Sequence, residues 1–239
     1  GHCVNLLPLK SRIDDNQDFL SYLKYRKSEI LDAYEHQQFT FGSLLKNLKI
    51  NRDPSRVPLL PVVFNVDMDM DQGVEFSGLK FTTISNAKAF RNFEFSLNIW
   101  GSDNNLQLEW SYNNQLFERS TIEKMMKDFE LLLRSIVANP NQKLEQLLRH
   151  YSIQSPIQSK AIASDTHQLE LSRTYSLNLF SGELPVIDFP FDNARTITNT
   201  FSLGELHRVL SATSYSEILK FESTLSTNFS VILLGLVDV

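Results

Sequence analysis

The chain has 239 residues, 42% of them apolar and 21% charged, with 17 phenylalanines and a formal net charge of −5. That composition supports one large or two small globular domains and excludes a disordered chain. The acidic balance argues against duplex nucleic acid or an anionic membrane surface as partner, since both would repel it.

The single cysteine, Cys3, excludes an intramolecular disulfide and a multi-cysteine zinc site, and it fits a reducing compartment. No basic segment followed by a long apolar core opens the chain. The apolar run 231–237 falls far short of the about twenty residues a bilayer-spanning helix needs, so a cytoplasmic location is expected.

In chain order, Leu20, Leu23, Ile30, Leu31 and Tyr34 mark an amphipathic helix over 15–34, and Phe41, Leu44, Leu45 and Leu48 a second, short one. Residues 58–66 read as a near-continuous apolar strand covered on both faces, although Pro61 removes a ladder donor and belongs at an edge or bulge. Alternation predicts three further strands, through Leu79, Phe81 and Thr83, through Phe93, Phe95, Leu97 and Ile99, and through Leu106, Leu108, Trp110 and Tyr112. The turn chemistry of 101–105 joins the last two as an antiparallel hairpin.

Ser120 and Glu123 have the spacing of a capping box. The helix it would open carries Ile122, Met125, Met126, Phe129, Leu132, Leu133 and Ile136 on one stripe and should end before Pro140. Residues 151–168 are rich in serine, glutamine and alanine without apolar period and read as a linker.

Three stretches carry a family resemblance. Asn51-Arg52-Asp53-Pro54-Ser55-Arg56-Val57-Pro58-Leu59-Leu60 resembles the R-D-x-S-R-x-P-L motif of condensation domains in nonribosomal peptide synthetases. Gly1-His2-Cys3-Val4-Asn5-Leu6-Leu7-Pro8-Leu9-Lys10 resembles that family's G-x-x-V-N-x-L-x-L-R segment, and His36-Gln37-Gln38-Phe39-Thr40-Phe41 its H-Q-D-x-P-F motif. The stretch 112–140 is similar to the family's Y-x-x-x-L-F-x-x-x-T-I-x-x-M segment and closing helix. The resemblance implies an α/β fold: a mixed, largely antiparallel sheet with packed helices, like one lobe of the CoA-dependent, chloramphenicol acetyltransferase-like fold. It implies a C-terminal lobe core over 1–150.

Residues 180–190 resemble a connector of the same family, and 203–236 is loosely similar to the family's next segment, a helix and then a second apolar helix. In the family that connector precedes the G-x-x-V-N segment; here it comes about 170 residues after it. Two arrangements remain open: a lobe whose halves are exchanged in sequence, with 169–239 packed against 1–150, or two remnants of assembly-line domains joined by deletion.

The family forms amide bonds between carrier-bound acyl and aminoacyl thioesters, in biosynthesis of secondary metabolites such as antibiotics, and its reaction centres on an H-H-x-x-x-D-G motif. The five histidines here are His2, His36, His150, His167 and His207; no two are adjacent, and no Asp-Gly pair occurs. A general base must reach the proton it takes, so no histidine inherits the catalytic role. A coenzyme A-dependent relative is disfavoured because no histidine has aspartate four residues on.

The residues that match family motifs are Asn5, His36, Gln37, Arg52, Asp53, Ser55 and Arg56, expected to be mainly structural or tunnel-lining. Asp53 would pair locally and the arginines would brace the turn into the strand. Lys10 replaces the usual arginine and cannot reproduce its two-pronged hydrogen bond.

Asp67, Asp69 and Asp71 suggest a calcium loop, but Gln72 and Gly78 stand where that loop requires glycine and glutamate. No hydrolase, zinc or phosphate-loop signature appears. The resemblance implies no cofactor bound by the chain itself. Phosphopantetheine would arrive on partner carrier proteins, the other partners being an N-terminal lobe or neighbouring synthetase domains. On this reading the chain supplies tunnel wall and docking face and is inactive alone. The competing reading is a non-catalytic docking module or a relic.

Overall fold

The computed structural model describes residues 5–48, 50, 53–68, 77–79, 92–102, 105–148, 168–182, 184, 191–195, 197, 202–225 and 231–233. Two compact units share the chain: Gly1–Arg52 with Ser135–Ile187 and Thr227–Val239, and Asp53–Arg134 with Asp188–Ser226.

The first unit is helical among the described residues. Helix α1, Phe19–Glu35, is capped by Asp18, whose carboxylate accepts the Ser21 N–H, so it begins four residues later than the periodicity predicts. Its buried stripe is Phe19, Tyr22, Leu23, Arg26, Ile30 and Ala33. Leu31 and Tyr34, expected on that stripe, are each 53% exposed. The phase differs because Arg26, which looks polar in sequence, is fully buried and pairs with Glu29. Helix α2, Phe41–Asn47, is capped by Thr40. Helix α4, Leu144–Leu148, buries Leu144 and Leu147, and its start is tied to the segment before α1 by the Leu144 N–H to the Gln17 carbonyl at 2.9 Å. Helix α5, Gln168–Leu179, lies against α2, with Arg173 donating to Asn47 at 3.5 Å. Residues 231–233 are helical and buried.

The second unit is built on a four-stranded sheet in the order β1-β2-β3-β4, with β1 Val62–Met68, β2 Phe95–Ser102, β3 Asn105–Asn113 and β4 Leu203–Val209. Strand β1 runs parallel to β2, while β2–β3 and β3–β4 are antiparallel. The fold is thus mixed α/β. The hairpin forms in the expected register, Phe95 opposite Tyr112 and Ser102 opposite Asn105.

Strand β1 starts at Val62, not at 58, because Leu59 sits at φ 67° in a tight turn closed by the Leu60 N–H on the Pro58 carbonyl. Among the described residues β1 is an edge strand, and its apolar side chains are half-exposed rather than covered on both faces. The strand expected through Phe81 and Thr83 lies outside the described residues, as do Asp69, Asp71 and the segment 151–167.

One sheet face is the core. Phe95, Leu97, Ile99, Leu106, Leu108, Trp110, Tyr112 and Leu206 are all buried there. Helix α3, Arg119–Ala138, packs on this face, with the Phe129 ring edge-on to Trp110 at 5.5 Å. It starts at Arg119, so Ser120 lies in the first turn and the capping box does not form; Glu123 accepts from Arg119 at 2.8 Å instead. The cap comes from far along the chain: the Asp192 carboxylate accepts the Glu118 N–H and the Thr121 hydroxyl, both at 2.7 Å.

The stretch from 203, expected to be helical, opens with β4; helix α6, Ala212–Leu225, comes next and buries Tyr215, Ile218 and Phe221. Among the described residues, no helix is long and apolar enough to cross a membrane.

Candidate functional site

In the helical unit the motif residues hold one another in place. Asn5 donates its side-chain amide to the Gln37 carbonyl at 2.8 Å. His36 ends α1; its Nδ1 lies 2.7 Å from the Asp32 carbonyl, and the ring stacks on Tyr175 of α5 at 4.4 Å. Burial, followed by the charges of Asp32 and Glu29, raises the Tyr175 phenol above its ordinary value. Lys10 donates to the Leu179 carbonyl at the end of α5 at 3.3 Å. His2, His150 and His167 lie outside the described residues.

In the sheet unit the other motif forms a braced turn. The Asp53 carboxylate accepts the Ser55 N–H at 2.8 Å and the Ser55 hydroxyl at 2.6 Å, and it pairs with Arg56 at 3.3 Å. The Ser55 hydroxyl first, then its N–H and the charges of Arg56 and Arg195, hold the Asp53 carboxyl below the usual range. Arg52 lies outside the described residues.

A lowered folded value means that this carboxylate contributes stability above its unfolded value, about 3.9, and loses it as pH falls through the folded one. Asp53→Asn is therefore expected to lower the urea midpoint at neutral pH, and the gap to the parent should close below about pH 4. A gap that stays constant with pH would show that the carboxylate charge plays no part.

Two residues that motif reading missed complete this cluster. Arg195 donates to the Glu94 carboxylate at 2.7 Å and to the Ser55 carbonyl at 3.3 Å, and its guanidinium lies 4.7 Å from the Phe191 ring centre. Glu94 is only 2% exposed. Neither partner has a local signal, because they stand 101 residues apart in the chain.

The sheet face opposite the core is polar. Strand alternation and register place Asn65, Asn98, Glu109 and His207 in one row across the four strands, and Ser96, Ser111 and Glu205 in the next. Asn65 donates to Asn98 at 2.9 Å, and Ser111 reaches Glu109 at 3.5 Å and Glu205 at 3.3 Å. His207 Nε2 lies 3.8 Å from Glu205. Among the described residues, no group of three histidine, cysteine or acidic side chains is placed to hold a metal ion.

The condensation domain family matches residues 1–155. The chain belongs to the condensation domain family. It is 33% identical over 147 residues to gramicidin S synthase 2 of Brevibacillus brevis, covering 60% of this chain and 3% of that protein. It is 26% identical over 180 residues to surfactin synthase subunit 2 of Bacillus subtilis (strain 168), covering 75% and 5% respectively. Tyrocidine synthase 2 of Brevibacillus parabrevis is 29% identical over 149 residues, covering 62% and 4%. The match thus spans a small fraction of each of these relatives. No solved structure matches significantly.

Proposed function

We propose that this chain is one lobe of a peptide-synthetase condensation domain, of the acyltransferase type, with its segments in exchanged order: 1–150, a linker at 151–168, and 169–239, which would come first in the usual order. The observation that carries this reading is the antiparallel pairing of β4 with β3, from Gln107 opposite Val209 to Asn113 opposite Leu203. A remnant joined by accident has no reason to complete the ladder of the unit that carries the family motif. The caps and braces contributed by Asp192 and Arg195 support the same reading.

In this role the lobe forms one wall of a tunnel and a docking face for carrier proteins, whose phosphopantetheine arms bring the substrates. Asn5, His36, Gln37, Arg52, Asp53, Ser55 and Arg56 keep that wall in shape. The amine nitrogen of one substrate attacks the thioester carbonyl of the other; a C–N bond forms, the C–S bond breaks, and the thiol leaves with the amine proton. Holding both arms in register is the lobe's catalytic contribution. Proton handling falls to an N-terminal lobe, because these 239 residues contain no adjacent histidines and no Asp-Gly pair. That same fact favours the second reading, a non-catalytic carrier-docking module or relic.

A single-turnover assay with aminoacylated donor and acceptor carriers, read by mass spectrometry, separates the two. Product is expected when the folded chain is mixed with a condensation-domain N-terminal lobe, and none above background with the chain alone. Product from the chain alone would overturn the assignment of proton handling. No product in either mixture, with circular dichroism showing a folded chain, would establish the docking or relic reading.

A further inference from the structure

We propose that the Arg195–Glu94 pair is a clamp that holds the loop 55–61 in a sprung conformation, so that the motif turn keeps its shape only while the segment carrying Arg195 is seated. The device is a coupling. Docking of 188–226 on the sheet unit sets the backbone of a loop that begins 140 residues before Arg195.

The spring is Leu59. Its φ is 67°, and among the described residues it is the one residue other than glycine with positive φ. The Leu60 N–H closes the turn on the Pro58 carbonyl, two residues back, at 2.8 Å. A three-residue turn closed in this way, with positive φ at its centre, is the rare and strained form of the γ-turn. A leucine there crowds its Cβ against the following carbonyl oxygen. Such a conformation persists only where the surroundings over-determine it.

The two ends of the loop are tied to each other through the ion pair. At the start, the Ser55 carbonyl accepts from Arg195 at 3.3 Å. Arg195 donates to the Glu94 carboxylate at 2.7 Å, and the backbone N–H of the same Glu94 holds the Pro61 carbonyl at 2.9 Å. Ser55, Arg195, Glu94 and Pro61 thus close a ring around the strained residue. Glu94 is a firm anchor: it is buried, and its own carbonyl accepts the Asn113 N–H of β3 at 2.9 Å. The Asp53 carboxylate fixes Ser55 locally through its N–H and hydroxyl. Of the four members, Arg195 alone comes from the far segment. Removing it cuts the link between the loop ends and lets Leu59 leave positive φ.

Hydrogen exchange of the Leu60 amide, followed by NMR on the whole chain, reads the turn. The amides of the β2–β3 hairpin serve as reference for general loosening. Arg195→Ala is expected to speed Leu60 exchange about tenfold beyond any change in that reference, the weight of a left-handed leucine without support. Leu59→Gly removes the strain, because glycine takes positive φ without a steric penalty. Added to Leu59→Gly, Arg195→Ala should leave Leu60 exchange within about threefold of Leu59→Gly alone.

Equal acceleration with leucine and with glycine at position 59 would show that Arg195 is a plain brace, and would overturn the proposal. No acceleration in either background would do the same. If Arg195→Ala loosens the whole sheet unit, Arg195→Lys, which keeps the charge without the planar fork, is read in the same two backgrounds and decides in the same way. No substrate enters this test, so its result is independent of the condensation assay.

Discussion

Arg195→Ala will cost the sheet unit about 3–5 kcal/mol, the loss expected when one partner of a buried ion pair is removed and the other stays. Glu94 is 2% exposed, and its charge is met by the Arg195 guanidinium at 2.7 Å. The same guanidinium holds the Ser55 carbonyl and lies over Phe191, so the motif turn loses its brace as well. Arg195→Lys keeps the charge but not the planar fork that spans two acceptors, and should fall between alanine and the parent.

The chain's two tryptophans, Trp100 and Trp110, both lie in the sheet, so urea unfolding followed by their fluorescence reads this unit. Adding Glu94→Gln to Arg195→Ala removes the stranded charge and should recover part of the loss. A loss below about 0.5 kcal/mol would place this pair with exposed ion pairs and would mean that 188–226 is not locked to the motif.

Gly204→Ala is expected to be nearly as damaging. A Cβ at Gly204 would stand 2.3 Å, 2.5 Å and 2.8 Å from three atoms of the Tyr112 ring, which lies flat over it across the ladder. Tyr112 is itself buried in the core face, so the ring has little room to retreat. Forcing a methyl into such packing costs about 1–3 kcal/mol, and β4 should loosen from β3. Hydrogen exchange of the 204–208 amides, compared with that of β2, would show it; unchanged protection would mean that the ring moves aside freely. Tyr112→Phe leaves the contact in place and serves as the control.

These two positions also show what can be read along a chain. The helices at 19–35 and 119–138 and the hairpin of β2 and β3 were legible from apolar spacing, because each is decided by neighbours three, four or two residues away. The phase of α1 was not, since Arg26 is buried and counts as polar in any apolar pattern. Nor was β4: apolar residues at Leu203, Leu206, Val209 and Leu210 have helical spacing, and it is the unfilled edge of β3 that draws this segment into a ladder. The start of α3 was misassigned for a related reason. A serine at the right spacing is a local signal for a cap, whereas Asp192, the residue that caps it, is more than seventy residues away.

By itself the sequence determined the family, through short motifs whose residues lie side by side. It also shows that no two histidines are adjacent and that no Asp-Gly pair occurs, and it marks the core face of the sheet, which period-two alternation reveals. The tertiary structure decided everything that depends on residues far apart in sequence meeting in space. That includes the Arg195–Glu94 brace, the strand completed by β4, and the gathering of Ser96, Glu109, Ser111 and Glu205 on one sheet face. Polar residues scattered over three strands carry no period and no motif, and their burial exists only once register and ladder order set them in rows.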